Sequence, residues 1–130
     1  MAKADLAQER LQEKVKEVNR DFGTKIYEML MQFNRERLNG KGSLNDEPYI
    51  DQHSLRWMMK WKEAKIAYEL SIVIRIEDTG REARVGGVWV RRHASTPLDF
   101  DGHTPTTRMR RVTNFSMKDI HDAVEAEWGG

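Results

Sequence analysis

The sequence predicts an α+β fold in one domain, and three observations carry that prediction. A helical period runs from Leu6 to Leu38, a two-residue period runs from Tyr68 to Glu77 into a Gly-marked turn, and a second helical period closes the chain after Ser116. The 130 residues, 38% hydrophobic and 33% charged, suit one modest core, with a helical segment over 1–39 and an α+β core over 51–130. No apolar run approaches the roughly 20 residues of a bilayer span, and the N-terminus leads into charged helix. An intracellular, cytoplasmic setting without membrane contact is therefore expected. Cysteine is absent, which removes disulfides, thiol nucleophiles and Cys-ligated zinc.

The first helix places Leu6, Leu11, Val15, Val18, Phe22, Ile26, Leu30 and Phe33 on one stripe, in steps of mostly three or four. Asp5 with Gln8 suits its N-cap, and Asn39-Gly40 suits a left-handed stop. Gly23 costs about 1 kcal/mol against Ala in a helix interior and marks where the helix would kink, with Thr24 capping the second piece. Unkinked, the helix would extend about 50 Å, wider than so small a domain. Its stripe is thus expected to be covered either by a second copy of the chain or, folded as a hairpin, by its own sheet.

Residues 39–50 carry Gly, Ser, Asn and Pro and are expected to form a loop. A second helix is expected from an Asp51 cap through His53 to about Lys65, with two opposed apolar stripes: Leu55, Met59 and Ile66 on one side, Trp57, Trp61 and Ala64 on the other. The Trp stripe either completes a core that wraps both sides or, bordered by His53, Lys60 and Lys65, forms an exposed contact platform. The strand that follows alternates Tyr68, Leu70, Ile72, Ile74 and Ile76 with mostly polar residues. A tight turn across Thr79-Gly80 would set Ile76 opposite Ala83 and Ile74 opposite Val85. A bulge at Gly86-Gly87 would then bring Val85, Val88 and Val90 to the buried side and Trp89, Arg91 and His93 to the other. Residues 94–107 are expected to form a loop and 108–115 a third strand. Ser116 with Asp119 forms a capping pair for a final helix that buries Met117, Ile120, Ala123, Val124 and Trp128.

The net charge of +1 conceals an uneven distribution. Between residues 79 and 115 there are seven Arg, no Lys and only Glu82, Asp99 and Asp101, whereas the last 15 residues are acidic. Arg presents a planar fork suited to phosphate or carboxylate, so an anion-gripping surface of Arg84, Trp89, Arg91, Arg92, Arg108, Arg110 and Arg111 is expected. The alternative is that these side chains pair with the acidic C-terminal segment or lie solvated on a sheet face.

Residues 97–104, Pro-Leu-Asp-Phe-Asp-Gly-His-Thr, resemble the first motif of haloacid-dehalogenase-type phosphotransferases. The resemblance implies Asp99 as nucleophile, Asp101 as acid/base and a magnesium ion between them and phosphate. That motif needs an apolar strand before it and a parallel sheet after it, and here Arg-Arg-His-Ala-Ser-Thr precedes it with only some 30 residues to follow. A turn stabilised by Asp side chains is the expectation instead. His53, His93, His103 and His121 show no zinc spacing, and neither a phosphate loop nor a nucleophile elbow is present. The expected function is therefore a non-enzymatic binding or assembly module without cofactor or metal. It would self-associate as a homo-oligomer through its helices and present the Arg surface to an acidic protein partner. The alternative is a nucleic-acid-binding protein that uses the same surface with Trp89 as a stacking ring.

Overall fold

The computed structural model describes residues 3–95 and 110–129. Helix α1 (Lys3–Leu38) is followed by β1 (Ser43–Leu44), β2 (Tyr49–Asp51), β3 (Ser54–Glu63), β4 (Ile66–Asp78), β5 (Ala83–Ser95), β6 (Arg110–Val112) and α2 (Met117–Gly129). The strands form one antiparallel sheet in the order β1-β3-β4-β5-β6, with β2 also paired to β3. Both helices pack on the same face of this sheet, so the fold is α+β in two layers. No described helix is long and apolar enough to cross a membrane.

The α1 helix runs through Gly23 without a break and is already helical at Lys3, upstream of the expected Asp5 cap. Burial of Val15, Val18, Ile26, Leu30 and Phe33 against the sheet outweighs the propensity cost of one glycine. At its far end Asn39 (φ 52°) and Gly40 (φ 80°) make the left-handed stop, and the Gly40 N–H donates to the Asn34 carbonyl. Asn34 is buried and pins the next segment: its side-chain oxygen accepts from the Gly42 N–H at 2.7 Å and its amide donates to the Gly42 carbonyl at 3.1 Å.

The main correction concerns residues 54–63, which form strand β3 rather than the expected second helix. Leu55, Trp57, Met59 and Trp61 are all buried on one face and Arg56, Met58, Lys60 and Lys62 lie on the other. Asp51, expected to cap a helix, pairs with Ser54 in a hairpin, and β1 and β2 occupy part of the expected 39–50 loop. A two-residue turn, Ala64-Lys65, joins β3 to β4, with Ala64 held at φ 55°.

Strand β4 alternates as the sequence predicts, but the hairpin turn is two residues longer. Asp78 pairs with Ala83, Ile76 with Val85 and Ile74 with Val88, in place of the Thr79-Gly80 turn and its register. The longer turn is fastened by Asp78, whose carboxylate accepts from the Gly80 N–H at 2.8 Å and from Arg10 of α1 at 2.7 and 3.0 Å. The shift is an even number, so the buried set stays buried. The bulge falls at Gly86, between the Ile76–Val85 and Arg75–Gly87 pairs, and returns Val85, Val88 and Val90 to one face.

Of the third strand expected over 108–115, residues 108 and 109 lie outside the described residues, Arg110–Val112 form β6 and 113–115 leave the sheet; α2 starts as expected, with the Ser116 hydroxyl accepting from the Asp119 N–H. Its Ile120, Ala123 and Val124 are buried. Trp128 continues a stack in which Tyr68 and Trp61 lie 5.3 Å apart, Trp61 and Trp128 4.9 Å, and Trp128 and Phe33 5.9 Å, all within 24° of parallel. That ladder ties β3 and β4 to both helices.

Candidate functional site

Because β3 to β5 have a two-residue period and both helices cover one face, the side chains of alternate residues gather on the opposite face, on which no described element packs. Reading across the strands, one row is Arg56, Val73, Trp89 and Arg111; the next is Met58, Ser71 and Arg91; a third is Lys60, Glu69 and His93. Arg75 and Lys62 stand on this same face on either side of those rows. Between Ser54 and Lys62, Ala67 and Arg75, Gly87 and His93, and at Arg111, it therefore carries six cations and one carboxylate, Glu69, while Asp51 of β2 and the Glu77–Arg84 pair stand on the same face at its margins.

The carboxylate is tied up. Glu69 accepts from Arg56 at 2.6 Å and from the Ser71 hydroxyl at 3.0 Å. Burial pushes the Glu69 carboxyl up, but the Ser71 hydroxyl and the charges of Arg56 and Lys60 outweigh it and hold the group below its ordinary value. Glu69 is thus ionised near neutrality and cancels Arg56, leaving Lys60, Lys62, Arg75, Arg91 and Arg111 without an ion-pair partner among the described residues. The Nε atoms of Arg56 and Arg91 and the Nδ1 of His93 are also shielded on this face without hydrogen-bond partners among the described residues.

Trp89 lies in the middle of the cations. Its six-membered ring covers Gly87, where an added Cβ would come within 2.8 to 2.9 Å of two ring carbons, and the Arg75 guanidinium stands 5.3 Å from its centroid. Glycine at 87 is therefore what lets the indole lie down along the strand. Lys60, Lys62, His93 and the Glu69 carboxylate also line a cleft of about 570 Å³ that extends the face, to which Lys41 adds one more ammonium group.

The expected site residues divide. Trp89, Arg91 and Arg111 come together on the open face, and Arg84 is exposed at its end, engaged with Glu77 at 2.9 Å. Arg92 and Arg110 do not join them, because each differs by one residue from a neighbour on the open face and so points to the helices. Arg92 donates to the Trp128 carbonyl at 3.1 Å at the C-terminal end of α2 and lies over Tyr68, while Arg110 pairs with Glu127 at 2.7 Å. Arg108, Asp99 and Asp101 lie outside the described residues. Trp57 and Trp61, 1% and 6% exposed, are core residues and not a contact platform; of its two lysines, Lys60 belongs to the opposite face and Lys65 sits exposed in the turn. Reading the sequence missed Arg56, Lys62 and Arg75. A two-residue period across 54–63 would have found the first two, and Arg75 already alternates with Ile74 and Ile76.

Among the described residues no group of three His, Cys, Asp or Glu side chains is placed to hold a metal ion. Comparison with protein-family models, with curated proteins and with solved structures finds no match to this chain.

Proposed function

We propose that this chain is a non-enzymatic binding module that docks an anionic macromolecule on the open face of its sheet. The observation that carries the proposal is the segregation of charge: on the described strands seven cations, Arg56, Lys60, Lys62, Arg75, Arg84, Arg91 and Arg111, share that face with three carboxylates, Asp51, Glu69 and Glu77, although the whole chain is nearly neutral. Such a field raises the rate at which an anionic surface arrives and orients it on contact. A chain needing charge only for solubility would intersperse the signs. The helices contribute by supporting the sheet from behind. Their apolar stripe, which suggested self-association, is spent largely on the chain's own core from Val15 to Leu38.

The test is charge reversal at three exposed positions, Lys60→Glu, Arg75→Glu and Arg111→Glu, followed by salt elution from immobilised heparin. The triple variant should leave the column at much lower salt than the parent while keeping its far-ultraviolet circular dichroism. Unchanged elution would show that the polyanion is held elsewhere and would end the proposal.

A further inference from the structure

Resting on the reading above, we infer that the anionic partner of the open face is a single-stranded nucleic acid, with Trp89 as the stacking platform for a base and the surrounding cations as its phosphate contacts. Charge alone does not distinguish a nucleic acid from an acidic protein; the ring does. Trp89 is laid along the strand with its six-membered ring over Gly87, and the Arg75 guanidinium lies over the ring, 5.3 Å from its centroid, so a base would stack on the indole by displacing that cation toward its phosphate. A flat aromatic ring held this way fits a nucleobase, whose π-face is the same whatever its sequence.

The cations are distributed as a phosphate backbone would need them. Arg111 is the cross-strand neighbour of Trp89, Arg91 lies two residues along the same strand, and Arg75 stands 5.3 Å from the ring centroid. With strands about 4.8 Å apart and alternate residues about 6.7 Å apart, these groups reach around one stacked base and its neighbours. All three are Arg, whose donors form a fixed fork that suits phosphate oxygens. From this cluster the basic path continues through Lys60 and His93 to the cleft lined by Lys41 and Lys62, which gives the strand a direction along the sheet.

Three probes separate the outcomes: an oligothymidylate, heparin as a polyanion without bases, and polyglutamate as an acidic polypeptide. The oligothymidylate should bind most tightly and quench tryptophan fluorescence. Contact with four phosphates gives a log–log salt slope of about −2.8, a loss of about 50-fold in affinity between about 50 and 200 mM salt. Trp89→Leu should weaken the oligothymidylate about 10-fold or more and leave heparin unmoved. Trp89→Phe, which keeps a stacking ring, should abolish most of the quenching while retaining much of the affinity, and it guards against a variant that fails to fold. If Trp89→Leu leaves the oligothymidylate affinity unchanged, or if polyglutamate binds as tightly, the nucleic-acid inference is overturned and the anionic-docking reading survives. If none of the three probes binds at low salt, both fail.

Discussion

Replacing Trp61 by Ala tests the strand assignment of residues 54–63 at its most consequential position. Trp61 is 6% exposed and lies between Tyr68, at 5.3 Å and 12°, and Trp128, at 4.9 Å and 18°. Truncating a buried Trp to Ala costs about 3–5 kcal/mol from lost transfer and the cavity left behind. Each stacked aromatic pair contributes about 0.5–1.5 kcal/mol beyond its buried area, and two such pairs are lost here, so a cost near 4 kcal/mol is expected. That is a large share of the roughly 6–20 kcal/mol that a chain of this length has in total. Trp61→Phe keeps a ring in the ladder and should cost about 1–2 kcal/mol. Met58→Ala, on the other face, removes a half-buried side chain and should cost about 1 kcal/mol. Urea unfolding followed by circular dichroism measures all three, with the slope unchanged if only the native state is affected. A Trp61→Ala cost below about 1 kcal/mol, or equal costs at 58 and 61, would refute the alternation, because one face of β3 would then not be core.

Four further outcomes follow from the same contacts. Asn34→Ala leaves the Gly42 N–H and carbonyl without their buried partner and should cost about 1–3 kcal/mol, with faster hydrogen exchange at the Gly42 amide. Ala64→Gly relieves a left-handed backbone at the β3–β4 turn and should raise stability by about 0.5 kcal/mol in the same urea assay, after allowance for the entropy of the unfolded glycine. The Arg10 guanidinium, helped by the Gly80 N–H, holds the Asp78 carboxyl below the usual carboxylate range against the opposing effect of burial. A carboxyl lowered in the folded state adds stability above its unfolded value near pH 4 and loses it as pH falls through the folded value, so Arg10→Ala should flatten the acid limb of the stability profile and raise the Asp78 titration seen by NMR. Gly87→Ala places a methyl where the Trp89 ring lies and should shift tryptophan emission to the red with the sheet intact, and an unmoved spectrum would contradict the placement of the indole on Gly87.

Much of the fold is legible in the sequence because local chemistry and tertiary packing agree there. The stripe of α1, its Asn39-Gly40 stop, the alternation of β4, the Gly86 bulge and the Ser116 cap of α2 each follow from a period or from the conformational range of a single residue type. Residues 54–63 are different. Leu55 with Met59 and Trp57 with Trp61 are spaced by four, which satisfies a helical turn and a strand equally, and only the partner β4 decides between them. The Arg-rich stretch likewise shows its composition and not its direction. Adjacent side chains on a strand point to opposite faces, so Arg91 joins the open surface while Arg92 clamps the end of α2, and Arg111 joins Trp89 while Arg110 meets Glu127. Periodicity in the chain sets which residues share a face; which face meets the helices and which stays open depends on long-range pairing that no short window contains.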